Sequence, residues 1–415
     1  MTVREASGVE DWLGVLRLLW PAADISRGRP DSARSSGEAY VLLPSTRRPK
    51  VMAPLVPRGL AAEAVWRPTA ADRPVESAVR RLLAMAAGSR LGPVLFRGRV
   101  TIRQDDSSDG SIVKHLTEIV REPVTVSVSL GSVRANRKAV LQVHTIDGRL
   151  IGYAKVGISD LTAELVRAEA EALAGLARYS FREFRHPLPL WRGRWRGLEV
   201  LLVTALPRHA GRPSGPPAAA MRELASHAGT TRAPVAESSW LRRLAERFES
   251  VTDDGQRRRL LALRDTFTAR HGSTTLTFGA WHGDWGPWNM SWLDGISQVW
   301  DWERYQPEVP IGLDAVHYIA LPALLRVGDA GLARTTLEGP AARAVSQVIG
   351  ESEASPQITA VVDSYLLEIA TRFATDADAH YAQPTALAAD WYLDVAAARL
   401  AADIGDPTQL RREAR

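Results

Sequence analysis

The chain of 415 residues contains no cysteine, which excludes disulfides and thiolate-held metals and suits a reducing, cytoplasmic setting. No apolar run approaches the roughly eighteen residues that a membrane-spanning helix needs. The N-terminal MTVREASGVEDW places acids where an export signal would be apolar. Lysine is nearly absent. It stands only at Lys50, Lys114, Lys138 and Lys155, so 48 of the 52 basic residues are arginine. Where arginine fills almost every cationic position, a surviving lysine marks a place that needs a compact, adjustable ammonium. The formal net charge is only +5, which argues against a nucleic-acid surface despite the pI of about 9.7.

What is present is an ordinary globular composition, 45% hydrophobic and 24% charged, in a chain long enough for two or three cores. Residues 1–120 read as an accessory α/β region packed on the strand-rich region after it. Apolar residues recur at helical spacing from Trp12 to Trp20. A strand pair is expected over Ala39–Leu43 and Lys50–Ala53, a helix over Pro74–Gly88 and a strand over Pro93–Phe96. Ser111 should cap a further helix that presents Ile112, Leu116 and Ile119 on one face. Residues 121–206 are strand-rich, with runs over Val124–Leu130, Ala139–His144, Leu150–Val156, Leu188–Trp195 and Leu198–Leu206. Trp191–Arg196 interleaves tryptophan with arginine, which a solvated hairpin alternating in and out explains better than base stacking. Residues 207–415 are mostly helical, and the Gly/Pro-rich Arg208–Pro217 marks the boundary.

The chemistry concentrates in Trp281–Glu303. Asp294-Gly295 is a strong hairpin turn between Met290–Trp292 and Gln298–Trp300. That hairpin brings Asp301 back to a loop that already holds His282, Asp284 and Asn289. Two acids and an amide at one hairpin mouth suit Mg²⁺ and nucleotide phosphates, with a hydroxyl aimed at the γ-phosphorus. His282-x-Asp284 followed by Asn289 reproduces the H-x-D-x-x-x-x-N pattern of kinase catalytic loops.

Together, His282-Gly283-Asp284, Asn289 and Asp301-Trp302-Glu303 resemble the motifs of the aminoglycoside phosphotransferase and choline kinase group. The resemblance covers about residues 124–400 and is specific only at Lys155–Glu169 and His282–Glu303. It implies an α+β, bilobal protein-kinase-like fold, with a five-stranded antiparallel N-lobe, a helical C-lobe and a hinge at Thr204–Pro207. It further implies transfer of the γ-phosphate of ATP or GTP to a small-molecule hydroxyl, with a protein hydroxyl also open as acceptor. Asp284 would orient the acceptor and take its proton, while Asn289 and Asp301 would hold Mg²⁺ with support from Glu303. His282, grouped with the catalytic residues, would order the loop, and Asp314 would steady it. Lys155 would reach the α- and β-phosphates through an ion pair with Glu169, with Glu164 and Glu171 as alternatives. Backbone amides near Gly131 and Ser132 would cradle phosphate oxygens, although a single glycine there departs from a glycine-rich loop. Trp285 and Trp288 depart from the family pattern and either wall a substrate pocket or pack. An aminoglycoside would favour a carboxylate-rich pocket, for which Asp363, Glu368, Asp376, Asp378, Asp390 and Asp394 are available.

Two other readings compete. H-x-D also occurs in metal-dependent phosphoesterases, although those sites usually draw on several histidines, and only His282 and His317 lie near the motif. A kinase-like nucleotide-binding or regulatory module without turnover would account for the sparse loop at Gly131, and the intact Asp284, Asn289 and Asp301 argue against it.

Overall fold

The computed structural model describes residues 4–27, 38–44, 49–56, 59–72, 74–89, 92–96, 98–104, 110–130, 138–208, 211, 213–376 and 383–402. Gly131, Ser132 and Asp378 lie outside these residues. In chain order the first strands are β1 (Asp24–Arg27), β2 (Glu38–Leu43), β3 (Val51–Pro54), β4 (Arg99–Arg103), β5 (Val124–Leu130), β6 (Ala139–Thr145) and β7 (Leu150–Val156). They are followed by β8 (Phe184–Arg185), β9 (Pro189–Trp195) and β10 (Leu198–Thr204). All except β8 join one sheet in the order β1-β4-β2-β3-β5-β6-β7-β10-β9. The expected five-stranded antiparallel unit is its second half. The first half comes from the N-terminal region, whose β3 pairs with β5 (Val51 opposite Ser129, Met52 opposite Val128). Residues 1–120 therefore extend the sheet and do not merely pack on it.

Strand alternation divides the sheet into two environments. Ala154 and Val156 face a core with Val126, Leu141 and Val200, closed by Trp12, Leu16 and Trp20 around the helix Arg4–Leu19. Tyr153 and Lys155 point the other way, toward the second part of the chain. On that side lies the helix Asp160–Leu176, started by a reciprocal cap between Ser159 and Thr162. Its Leu173 and Leu176 pack with Trp285, Met290 and Trp302. This shared cluster joins the sheet to the loop that carries the motif residues.

The remainder is mainly helical, built on a core that includes Trp240, Phe267, Leu313, Tyr365 and Tyr392. Short strands punctuate it: β11 (Thr231–Pro234), β12 (Thr275–Trp281), β13 (Met290–Leu293), β14 (Ile296–Val299) and β15 (Gln306–Pro310). β12 lies between β11 and β15, and β13 and β14 form the expected hairpin, with Asp294 and Gly295 both at positive φ (51° and 82°). The α+β layout read from the sequence is thus the layout observed.

One expected strand is a helix. Gly92–Leu95 forms a helical turn, closed by the Phe96 amide donating to the Gly92 carbonyl at 2.9 Å. Proline suits the first turn of a helix and cannot donate to a strand ladder, so Pro93 decides this short apolar run.

Candidate active site

β12 ends at Trp281 and delivers His282, Gly283 and Asp284 into a tight loop. Gly283 sits at φ 84°, and a Cβ there would lie 2.2 Å from the Arg304 carbonyl oxygen, so only glycine fits. Asp314, in the first turn of the helix Leu313–Leu324, accepts the His282 and Gly283 amides at 2.7 and 3.1 Å. Burial pushes its carboxyl up to about 7 in spite of those two donors. Arg372 closes the loop from the opposite side by donating to the Gly283 carbonyl at 2.6 Å.

Both ring nitrogens of His282 are committed. Nδ1 accepts the Asp284 amide at 3.1 Å, so Nε2 carries the proton and donates to the Trp300 carbonyl at 3.1 Å. Burial lowers its pKa to about 4, which keeps this tautomer neutral. The ring therefore ties the loop to the end of the β13–β14 hairpin and has no nitrogen left for a reacting group.

Asp284 is held at both oxygens. Asn289 Nδ2 donates to Oδ2 at 2.7 Å and to the Asp284 backbone carbonyl at 3.0 Å. His317 Nε2 lies 2.9 Å from Oδ1, and its Nδ1 lies 3.1 Å from the Tyr365 hydroxyl. With Nε2 donating to the carboxylate, Nδ1 accepts from Tyr365, which gives a chain Tyr365–His317–Asp284. Burial raises the Asp284 pKa, but the His317 hydrogen bond together with the charges of His317 and Arg372 outweighs it and leaves the group below the usual carboxylate value. The partnership of His317 and Tyr365 with Asp284 is not visible in the motif spacing.

Asp301 adopts a left-handed backbone conformation (φ 71°), one that aspartate tolerates better than most residues. Its Oδ1 accepts Lys155 Nζ at 2.7 Å and Lys138 Nζ at 2.9 Å. Lys155 also donates to both carboxylate oxygens of Glu169 (2.6 and 2.5 Å), whose Oε1 accepts the Trp302 amide. Glu169 is fully buried on the inner face of its helix, whereas Glu164 and Glu171 are not, so Glu169 is the partner. Lys138 bonds Glu303 as well, and Glu303 is buried. Motif spacing does not find Lys138 as a site residue. Its only signal in the sequence is the rarity of lysine.

The carboxylates of Glu169, Asp301 and Glu303 offer oxygens within 4.8 Å of one another. Asn289 lines the same cleft as Glu169 and Asp301. This all-oxygen donor set suits a hard divalent cation such as Mg²⁺. Of the expected ligands, Asp301 and Glu303 are therefore together, with Glu169 beside them and two ammonium groups on their oxygens, while Asn289 shares the cleft with Asp301.

A cleft of about 320 Å³ opens between the sheet and this loop. Val140, Tyr153, Lys155 and Val203 line it from the sheet, and Thr204, Leu206 and Arg208 from the expected hinge. Trp288, Asn289, Trp300 and Asp301 close the far side. Of the two unassigned tryptophans, Trp288 walls the cleft, while Trp285 is fully buried against Phe184 and Trp302. The acids available for a polycation pocket are paired elsewhere: Asp363 with His271 and Arg399, Glu368 with Arg247, Asp376 with Arg304, and Asp390 and Asp394 with Arg259. Among the described residues no helix is long and apolar enough to cross a membrane.

The solved structures similar to this chain include small-molecule kinases. A thermostable mutant of aminoglycoside phosphotransferase APH(4)-Ia aligns with 14% identity and a TM-score of 0.43, covering 71% of this chain and all of its own. Choline kinase from Cryptosporidium parvum Iowa II aligns with 10% identity and a TM-score of 0.40, covering 66% of this chain and 88% of its own. Amicoumacin kinase hAmiN, in complex with AMP-PNP, Ca²⁺ and its ligand, aligns with 14% identity and a TM-score of 0.39 over the same shares. No family model matches the chain, and no curated protein sequence matches it.

Proposed function

We propose that this protein is a phosphotransferase that moves the γ-phosphoryl group of ATP or GTP to a hydroxyl of a small molecule. One observation carries the reading. Asn289, Asp301 and the Lys155–Glu169 pair line one cleft, and Asp284 is tied to it by its hydrogen bond from Asn289, so four separate segments bring together the groups that phosphoryl transfer uses.

Asp284 stays ionised at neutral pH and is fixed by Asn289 and His317, so it can orient an acceptor hydroxyl and receive its proton. The acceptor oxygen bonds to the γ-phosphorus as the bond to the β,γ-bridging oxygen breaks, and the nucleoside diphosphate leaves. Lys155, aimed by Glu169, neutralises phosphate charge from the sheet side. Asn289 and Asp301 would hold Mg²⁺, with Glu303 in support, and the ion would offset charge on the transferring group. Thr204 and Leu206 of the expected hinge line the cleft, where backbone groups would meet the base of either purine nucleotide.

The test is thermal stabilisation by ATP and by GTP, with and without Mg²⁺, on wild type and Asp301→Ala, followed by a transfer screen with the stabilising nucleotide. A ligand at one hundred times its dissociation constant adds about 2.7 kcal/mol, a readable shift. A magnesium-dependent shift that disappears in the variant supports the reading. Folded wild-type protein that responds to neither nucleotide would sink it.

A further inference from the structure

Beyond the helix Leu60–Val65 the chain runs from the sheet to the candidate catalytic hairpin. Arg67 Nη1 donates to Ser129 Oγ on β5 at 2.6 Å, and the Ala70 amide donates to the Met290 carbonyl at 2.9 Å. Arg80 fixes the crossing by donating to the Arg67 carbonyl at 2.8 Å. An arginine of the N-terminal region is thereby built into the wall of the cleft.

There it meets a second arginine. The Arg67 guanidinium carbon lies 5.2 Å from the centre of the Tyr153 ring, and that of Arg208 lies 5.3 Å from the same ring and 4.4 Å from Trp300. Two like charges converge on one aromatic surface, and neither has a carboxylate partner among the described residues. The lysines of the cleft differ in this respect, being matched by Glu169, Asp301 and Glu303. The uncompensated charge of the cleft is therefore at Arg67 and Arg208. Burial, with the neighbouring Arg208 charge, lowers the Arg67 pKa to about 10, which is a cost a bound anion would offset.

We infer that Arg67 and Arg208 form an oxyanion seat in this cleft, one that takes a phosphate or carboxylate group. Contact with Tyr153 and Trp300 positions the two guanidinium groups. Arg67 Nη1 is committed to Ser129 Oγ, so the remaining Arg67 N–H groups act together with the Arg208 fork in recognising an oxyanion. The seat disfavours a polycationic ligand, in keeping with the pairing of the C-terminal acids elsewhere. The oxyanion belongs either to the nucleotide or to an acidic acceptor. The seat itself stands without the transfer reaction.

The experiment measures stabilisation and affinity with inorganic pyrophosphate, malonate, ATP and adenosine as probes, on wild type, Arg67→Met and Arg208→Met, with circular dichroism to confirm folding. The variants should lose at least half of the pyrophosphate or malonate shift and leave adenosine unaffected. A tenfold or greater loss of ATP affinity in both would assign the seat to the nucleotide. Unchanged ATP affinity with the anion shifts lost would assign it to an acidic second substrate. If Arg67→Met does not fold, Arg208→Met carries the same comparison. Undiminished response to both small anions in a folded variant overturns the seat. Pyrophosphate binding through these arginines without any ATP response would keep the seat and sink the phosphotransferase reading.

Discussion

Lys138 and Lys155 donate to the same oxygen, Oδ1 of Asp301, but their second partners differ. Lys155 is anchored on both oxygens of Glu169, and Lys138 on Glu303. Both anchors of Lys138 are thus expected metal-supporting groups, so its ammonium competes with a cation for them. Burial lowers the Lys138 pKa, whereas for Lys155 the charges of Asp301 and Glu169 outweigh burial and raise it. Lys138→Met should therefore bind Mn²⁺ roughly tenfold more tightly in the absence of nucleotide, equivalent to about 1.4 kcal/mol. Its stability in chelator should fall by about 3 kcal/mol, because a buried carboxylate loses its partner. Calorimetric Mn²⁺ titration decides it, and an unchanged or weaker affinity would show that Lys138 does not compete.

The Tyr365–His317–Asp284 chain makes a separate prediction. His317→Phe removes the donor to Asp284 Oδ1 while leaving Lys155, Glu169 and Asp301 untouched. We expect kcat to fall roughly tenfold to a hundredfold, the scale of a misplaced reacting group, with nucleotide affinity within about twofold of wild type. The acidic limb of the rate profile should also move to higher pH, because the His317 bond no longer holds the Asp284 pKa down. A loss of nucleotide affinity matching the loss of rate would instead assign His317 to folding of the cleft.

Much of this site was legible because it is local. Asp294-Gly295 names its own turn, and that turn fixes where Asp301 returns relative to Asn289. Lys155 and Glu169 lie fourteen residues apart on consecutive elements, so strand alternation and helix periodicity place them on facing surfaces. Lys138 meets Asp301 and Glu303 across 163 and 165 residues, and Arg67 reaches Ser129 across 62. No spacing rule reports contacts of that kind. Of the N-terminal strands only β2 and β3 were readable as strands, and the addition of this region to the same sheet depends on β3 pairing with β5, which no sequence pattern reports. The C-terminal acids illustrate the same limit, since their arginine partners come from other helices and from the helical turn after Asp301.

Gly283 offers a test of the loop that needs no ligand. Gly283→Ala places a side chain at φ 84° and drives its Cβ to 2.2 Å from the Arg304 carbonyl oxygen, which is backbone and cannot rotate away. The variant should lose at least about 2 kcal/mol in urea melts and lose phosphotransfer with it. Wild-type stability in this variant would mean that the loop conformation is not the one described.

His282 and Asp314 share a hydrogen bond and should pull the pH dependence of stability in opposite directions. The His282 pKa is lowered by burial to about 4 from an ordinary value of about 6.5. Between those values the unfolded chain binds a proton that the native ring refuses, so stability is lost as pH falls through the window, by about 3 kcal/mol in all. Burial raises Asp314 from its ordinary value to about 7. Below that pH the native carboxyl holds a proton that the unfolded chain releases, so stability is gained as pH falls from 7 toward 4. The two slopes oppose each other in wild type and should leave the contribution of this pair nearly flat between pH 4 and 6.5. Asp314→Asn removes the acid and leaves the histidine. Measured against its own stability at pH 7, the variant should lose about 3 kcal/mol by pH 4 beyond what wild type loses, in urea melts across that range. Parallel profiles for the two proteins would mean that Asp314 is ionised throughout, with the His282 and Gly283 amides outweighing its burial.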